Sequence, residues 1–217
     1  MRTERFTYLS LGLVVLAFAL VAAVYDRLPE HVPSHWNAGG AVDATMAKPW
    51  GPFMLPLTMA GVFVLLLVLP RISPRGYDME PFRRAYAVIQ LAIIGFLFAL
   101  SVVVLLAGLG WVVPMNRLVA VAIGALLVII GNFMGKVTTN FFVGVRTPWT
   151  LADPEVWMRT HRFAGKVIVV AGLAFAVAGL LGTDLRVLTV GVIVAALVPA
   201  IYSYVIYYRL ERERAGS

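Results

Sequence analysis

The sequence predicts an all-α polytopic membrane protein, a bundle of six transmembrane helices with a short amphipathic, interfacial helix between the fourth and the fifth. Three observations carry that expectation. Hydrophobic residues fill 61% of the 217 positions and charged residues only 13%, too apolar a balance for a soluble domain, which must cover its surface with polar groups. Six apolar runs, at residues 6–24, 52–70, 87–110, 118–134, 163–181 and 187–208, each approach the roughly 20 residues that a helix needs to cross a bilayer core. The cations are also distributed unevenly. Fourteen of the eighteen Lys and Arg fall in the termini and in the segments after the second and fourth runs, while the alternate segments hold only Arg27, Lys48, Arg117 and Arg186.

By the positive-inside rule, both termini and residues 135–166 are expected on the cytoplasmic side, and residues 25–51 outside. Orientation in a membrane therefore accounts for the net charge of +7, and no direct nucleic-acid partner is expected. The chain reads as a single membrane domain, residues 1–217, without a separate soluble unit. It contains no cysteine, which excludes disulfides, thiolate metal sites and a cysteine nucleophile.

The first run follows Arg2 and Arg5 and carries Ala17, Ala19, Ala22 and Ala23, features shared with a signal peptide. Its apolar stretch is longer than a signal h-region, so it is read as an uncleaved helix. Residues 25–51 are dense in turn formers, with Pro29, Pro33, Asn37, Gly39, Gly40 and Asp43, and predict a compact turn structure rather than a helix. The second run takes Pro52 and Pro56 in its first turns, where proline is tolerated, and stops at Pro70. The basic segment at 71–86 reads as an orientation signal touching anionic lipid. In the third run Gln90 and Ser101 are polar but not ionisable, and Trp111 with Pro114 marks its outer end.

The fourth and fifth runs share a spacing. Gly124 and Gly131 are seven apart with Gly135 one turn further on, and Gly165, Gly172 and Gly179 repeat at seven beside Ala164, Ala171 and Ala178. A seven-residue repeat keeps small residues on one helical seam, which in lipid permits close backbone approach. These two helices are expected to form a tight antiparallel hairpin with residues 135–166 at its tip. The sixth run contains Pro199, an expected kink, followed by Tyr202, Tyr204, Tyr207 and Tyr208 at the interface, and residues 209–217 read as a frayed cytoplasmic end.

The tip segment is polar, basic and aromatic between two apolar runs. Asp153 is a good N-cap, Pro154 suits the first helical position, Glu155 favours the positive end of the dipole, and Glu155 and Arg159 form an i,i+4 pair in the favourable order. These residues define the short interfacial helix. Ahead of it, NFFVGVRTPWT alternates around Gly144 and stops at Pro148, which suggests an extended segment or turn along the bilayer surface, with Trp149 and Trp157 at headgroup level.

The run GNFMGKVTTNFFVGVRTPWTLADPEVWMRTHRFAGK resembles the signature of the SdpI family of bacterial membrane proteins, whose best-known members confer immunity to a secreted peptide toxin. A second stretch, LPEHVPSHWNAGGAVDATMAK, resembles the extracytoplasmic module that often precedes that signature. With the spans between them, the resemblance covers nearly the whole chain. It implies an immunity protein that acts by binding and not by chemistry, without cofactor or metal, whose partners are a peptide toxin on the outer face, membrane lipids and, inside, a transcriptional repressor sequestered at the membrane.

The candidate toxin contacts are the outer-loop residues His31, His35, Trp36, Asn37 and Asp43. The histidines, near Glu30, have the makings of a zinc site, but Pro33 disfavours a shared helical face and EHVPSH is not HExxH. A hydrogen-bonding role for His35, Asn37 and Asp43 is the alternative. The tip candidates for docking a partner are Asn132, Lys136, Asn140, Arg146, Thr147, Trp149, Asp153, Glu155, Trp157, His161, Arg162 and Lys166, because Arg offers a planar fork to carboxylate or phosphate and Trp a rigid anchor. Their structural reading is arginines at lipid phosphates, tryptophans at the interface and acids capping a helix. Asn132 is the most suggestive polar group inside a span, and its structural reading is a helix-to-helix hydrogen bond. Carboxylates fall only in termini and loops, which disfavours a proton-coupled carrier. Two other functions stay open: a small-molecule or lipid transporter, and a metal-dependent membrane enzyme using the outer histidines.

Overall fold

The computed structural model describes residues 3–183 and 185–216; Arg2, counted above among the cytoplasmic cations, lies outside them. Its helices are α1 (Glu4–Val24), α2 (Met54–Val68), α3 (Arg83–Gly108), α4 (Met115–Met134), α5 (Pro148–Ala152), α6 (Pro154–Leu180) and α7 (Leu185–Ala215). All but α5 are long and apolar enough, with their flanking turns, to cross a membrane. The protein is thus a six-span, all-α membrane protein, and its only sheet among the described residues is the two-stranded hairpin of β1 (His31–Trp36) and β2 (Val42–Ala47).

The spans fall into two groups. α1, α2 and α3 pack around Val14, Ala17, Met59, Phe63 and Ile94. α4, α6 and α7 form the second group, and α3 meets α4 between them. A second joint lies at the end where α2 leaves and α3 begins. There Met79, Phe82, Ala85, Tyr86 and Ile89 bury themselves against Val137 and Trp157.

The seven-residue glycine spacing is realised as a backbone seam between α4 and α6. A Cβ added at Gly124 would lie 2.6 Å from the carbonyl oxygen of Gly172, and one at Gly131 would lie 2.9 Å from that of Gly165. The reverse substitutions meet the same obstacle: a Cβ at Gly165 or Gly172 would stand 2.7 Å from the carbonyl of Gly131 or Gly124. A Cβ at Gly179 would meet that of Ala120 instead, and Gly135 lies outside the tight zone, where a Cβ would stand 3.6 Å from Arg162 Cγ. In lipid, where apolar burial between helices drives little, this approach gains dispersion contacts that any larger residue would forfeit.

Four expectations are corrected. Residues 25–51 form a β-hairpin and not turns alone. Its register is irregular between Pro33 and His35, as expected where a strand residue has no N–H to donate. The helix beginning at Pro154 is not a separate interfacial element; it runs unbroken into the fifth span, and the only short helix between the fourth and fifth spans is α5. The residues after Tyr208 are helical to Ala215. Trp157 lies in the interior, 2% exposed, and not at headgroup level.

Candidate functional site

The tip, residues 135–161, is a cage closed by side-chain hydrogen bonds to its own backbone, although the buried Thr160 hydroxyl has no partner among the described residues. Asn140 is fully buried. Its Nδ2 donates to the carbonyls of Thr138 and Val143, both at 2.9 Å, and its Oδ1 accepts from the N–H groups of Phe142 at 2.9 Å and Val143 at 2.7 Å. One side chain therefore folds the start of the loop on itself, supplying the pairing that a buried non-helical backbone requires.

His161 anchors the middle of the loop. Its Nε2 accepts from the Val145 N–H at 3.0 Å, and its Nδ1 faces the Trp157 carbonyl at 2.8 Å. One nitrogen must accept and the other donate, which assigns the neutral ring with its proton on Nδ1. The indole of Trp157 stacks on this imidazole with centroids 4.0 Å apart, and its Nε1 donates to the Val137 carbonyl at 2.8 Å. Gly144 is the one position where the loop tolerates no side chain. Its φ is +121°, and a Cβ there would lie 2.2 Å from His161 Nε2.

Two caps close the cage. Thr147 and Thr150 form a reciprocal box at the start of α5: the Thr150 hydroxyl accepts from the Thr147 N–H at 2.9 Å, and the Thr147 hydroxyl accepts from the Thr150 N–H at 3.2 Å. The Thr147 hydroxyl also meets Ser203 of α7 at 2.9 Å. Asp153 caps α6 as expected, with Oδ1 accepting from the N–H groups of Glu155 at 2.7 Å and Val156 at 3.2 Å, while Oδ2 accepts from Arg214 at 2.7 Å. Burial alone would raise the Asp153 carboxyl, but the Arg214 guanidinium and the two amides hold it below the usual carboxylate range. Glu155 and Arg159 pair at 2.6 Å. Trp149 meets Tyr204 edge-on at 5.1 Å, so α7 lines the cage on one side.

The other candidates at this end face outward. Arg146 is exposed and donates to the Phe141 carbonyl. Lys136, Arg162 and Lys166 are exposed, with the Lys136 ammonium 4.7 Å above the Phe133 ring. Asn132 is also exposed on α4, and among the described residues it makes no bond to another helix, contrary to its structural reading. The cage thus divides the candidates by role. Asn140, Asp153, Trp157 and His161 build the tip from within, whereas Lys136, Arg146, Arg162 and Lys166, with the half-buried Trp149 and Glu155, are the ones it presents.

At the opposite end, the β-hairpin covers a cavity of about 310 Å³ between α2, α3 and α4, lined by Ser34, His35 and Trp36 of β1 and by Met54, Leu100 and Met115 below. Asn37 shapes the turn: its Oδ1 accepts from the N–H groups of Gly39 at 2.9 Å and Ala41 at 3.1 Å. Gly40, with φ of +84°, supplies the left-handed residue. His35 Nδ1 lies 2.5 Å from Asp43 Oδ1 across the strands. His31 is exposed at the start of β1, and no group of three or more metal-ligating side chains exists among the described residues.

Sequence reasoning missed Asn116, whose Nδ2 donates to the Ala38 carbonyl at 2.6 Å and ties the hairpin turn to α4. It also missed Thr150, Ser203 and Arg214. The Thr147-x-x-Thr150 spacing is a readable capping signal; the long-range partners of Ser203 and Arg214 leave none.

These features define the class: a small polytopic membrane protein with its polar groups gathered at the two ends of an apolar bundle. Comparison with known proteins gives the family. The SdpI/YfhL protein family matches residues 136–204, and a domain of unknown function (DUF1648) matches residues 12–60. The chain is 30% identical over 208 residues to the immunity protein SdpI of Bacillus subtilis (strain 168), covering 95% of this chain and 98% of that one. The protein belongs to the SdpI/YfhL family. No solved structure matches it.

Proposed function

We propose that this protein is an immunity protein that protects the cell carrying it against a secreted, membrane-active peptide toxin, by binding the toxin at the hairpin end. The observation that carries the reading is the near full-length similarity to the Bacillus subtilis immunity protein. In this reading the hairpin end faces outward and both termini lie in the cytoplasm, as the excess of Lys and Arg at the tip end favours. The cavity under the hairpin suits capture of an apolar group: it is mostly hydrophobic, and its walls include methionines, which adapt to irregular shapes. His35 and Trp36 line it, Asp43 faces His35 across the strands, Asn37 shapes the adjoining turn, and His31 is exposed at the start of β1. The tip then docks a cytoplasmic transcriptional repressor through its outward residues, Arg146, Trp149 and Glu155.

The test is survival and membrane potential of a toxin-sensitive bacterium carrying this gene or an empty vector, challenged with a peptide toxin of the kind SdpI-type proteins resist. Protection is the expected result. Loss of potential at the same toxin dose in both strains, with the protein confirmed in the membrane, would overturn the reading for that toxin class. Orientation is tested separately, because a chain without cysteine accepts a unique probe. His35→Cys should label from outside, and Trp149→Cys only after permeabilisation.

A further inference from the structure

Several cations of the tip end are held in ion pairs and others are not. Arg83, Arg159, Arg209 and Arg214 each pair with a carboxylate within 4 Å. Lys136, Arg162 and Lys166 have no carboxylate at ion-pair distance among the described residues, although all three are exposed. Arg162 and Lys166 are one turn apart on the same side of α6, and Arg162 lies against Gly135, next to Lys136. They form one cluster.

Its Lys166 sits at the end of a groove. Between α6 and α7 a cavity of about 390 Å³ is walled by apolar side chains, among them Val170, Ala174, Ala195 and Val198, together with Gly191, and its one charged lining residue is Lys166. From Lys166 to Ala174 the groove runs about 12 Å along the helix, at 1.5 Å per residue. The small residues along it leave the space between the two helices unfilled. In a bilayer such a crevice fills with hydrocarbon, and an unpaired ammonium at its end selects what carries that hydrocarbon.

We propose that this groove binds one anionic phospholipid, with an acyl chain lying along Val170, Ala174, Ala195 and Val198 and the headgroup phosphate held by Lys166 and Arg162. The two cations suit a phosphate because Lys166 lines the apolar crevice and Arg162 stands one turn away on the same side of α6. A neutral lipid would fill the crevice but leave both charges unmatched. Lys136 supplies a further positive charge at the rim. The site is separate from the hairpin cavity and from Arg146, Trp149 and Glu155, and it does not depend on the immunity reading.

The test is native mass spectrometry of the full chain, purified in detergent and mixed with equal amounts of phosphatidylglycerol and phosphatidylethanolamine. Wild type should retain phosphatidylglycerol preferentially. Lys166→Gln with Arg162→Gln should lower that preference about five-fold for each cation removed, with thermal unfolding unchanged. Ala174→Leu, which fills the groove, should reduce retention of both lipids, and Arg209→Gln should alter neither. Equal retention of the two lipids by wild type would overturn the proposal, as would a preference that survives the double substitution. A dimer that Ala174→Leu dissociates would give the groove to a second copy and would equally overturn it.

Discussion

Gly172→Ala should destabilise the protein by about 2 kcal/mol, and the number follows from the seam. The new methyl would lie 2.7 Å from the Gly124 carbonyl oxygen and 2.9 Å from both Leu127 Cβ and Val128 N. Two of these three atoms are backbone, so no rotamer change relieves them. Ordinary contact begins near 3.4 Å, so α4 and α6 must separate locally by about 0.7 Å. Overpacking of this kind costs about 1–3 kcal/mol, and the better helix propensity of alanine returns up to about 1 kcal/mol. Gly95→Ala in α3 is the internal control. Its Cβ would meet nothing within 4 Å, so only the propensity gain applies. Reversible unfolding in mixed micelles, followed by circular dichroism, measures both. The reasoning fails if Gly172→Ala is as stable as wild type, or if Gly95→Ala loses as much.

Three further outcomes test the two ends. Gly144→Ala drives a methyl into His161 and strains a residue held at positive φ, so it should cost at least about 2 kcal/mol; adding His161→Ala should recover part of that loss, a positive coupling in a double-mutant cycle. Asp153→Ala removes a cap and the Arg214 pair and should cost about 1–2 kcal/mol. Because the folded-state carboxyl lies below its ordinary 3.8, the stabilisation is full above pH 3.8 and is lost as pH falls through the lower folded value. Acid unfolding of wild type and variant should therefore converge at low pH. Asn116→Ala releases the hairpin turn at a cost of about 1 kcal/mol. Limited proteolysis at residues 38–41 should quicken while the helices unfold at an unchanged temperature.

The features legible in the sequence are those whose cause is local or periodic. Asp153, Pro154 and the Glu155–Arg159 pair declare a helix start within a few residues, and the glycine seam declares itself by its spacing on both helices. What stayed hidden depends on partners far along the chain. Arg214 reaches Asp153 across 61 residues. The indole N–H of Trp157 finds the Val137 carbonyl 20 residues away, so an aromatic residue beside a span, ordinarily an interface anchor, becomes a joint of the core. The strands were masked for another reason. β2 is exposed at five of its six positions and so lacks the alternation by which a half-buried strand is recognised. Pro33 in β1 also argued against regular pairing.

The two kinds of construction answer to different solvents. Along the middle of α4 and α6 the surroundings are lipid tails, which compete with side chains for apolar contact on equal terms, so only closer approach than lipid allows can hold helices together. Glycine supplies it. At the tip, backbone leaves the helix and is partly buried, and a buried carbonyl or amide must find a protein partner. Asn140, His161, Thr147, Thr150 and Asp153 are those partners, each bonded to main chain. The seam should therefore be sensitive to volume and indifferent to polarity at equal size, as in a Gly-to-Ala against Gly-to-Ser comparison at position 172. The cage should show the converse, with Asn140→Leu, of similar size, costing more than any change of volume at its exposed neighbour Phe141. A residue's role in this protein is thus read from which of the two tests it fails.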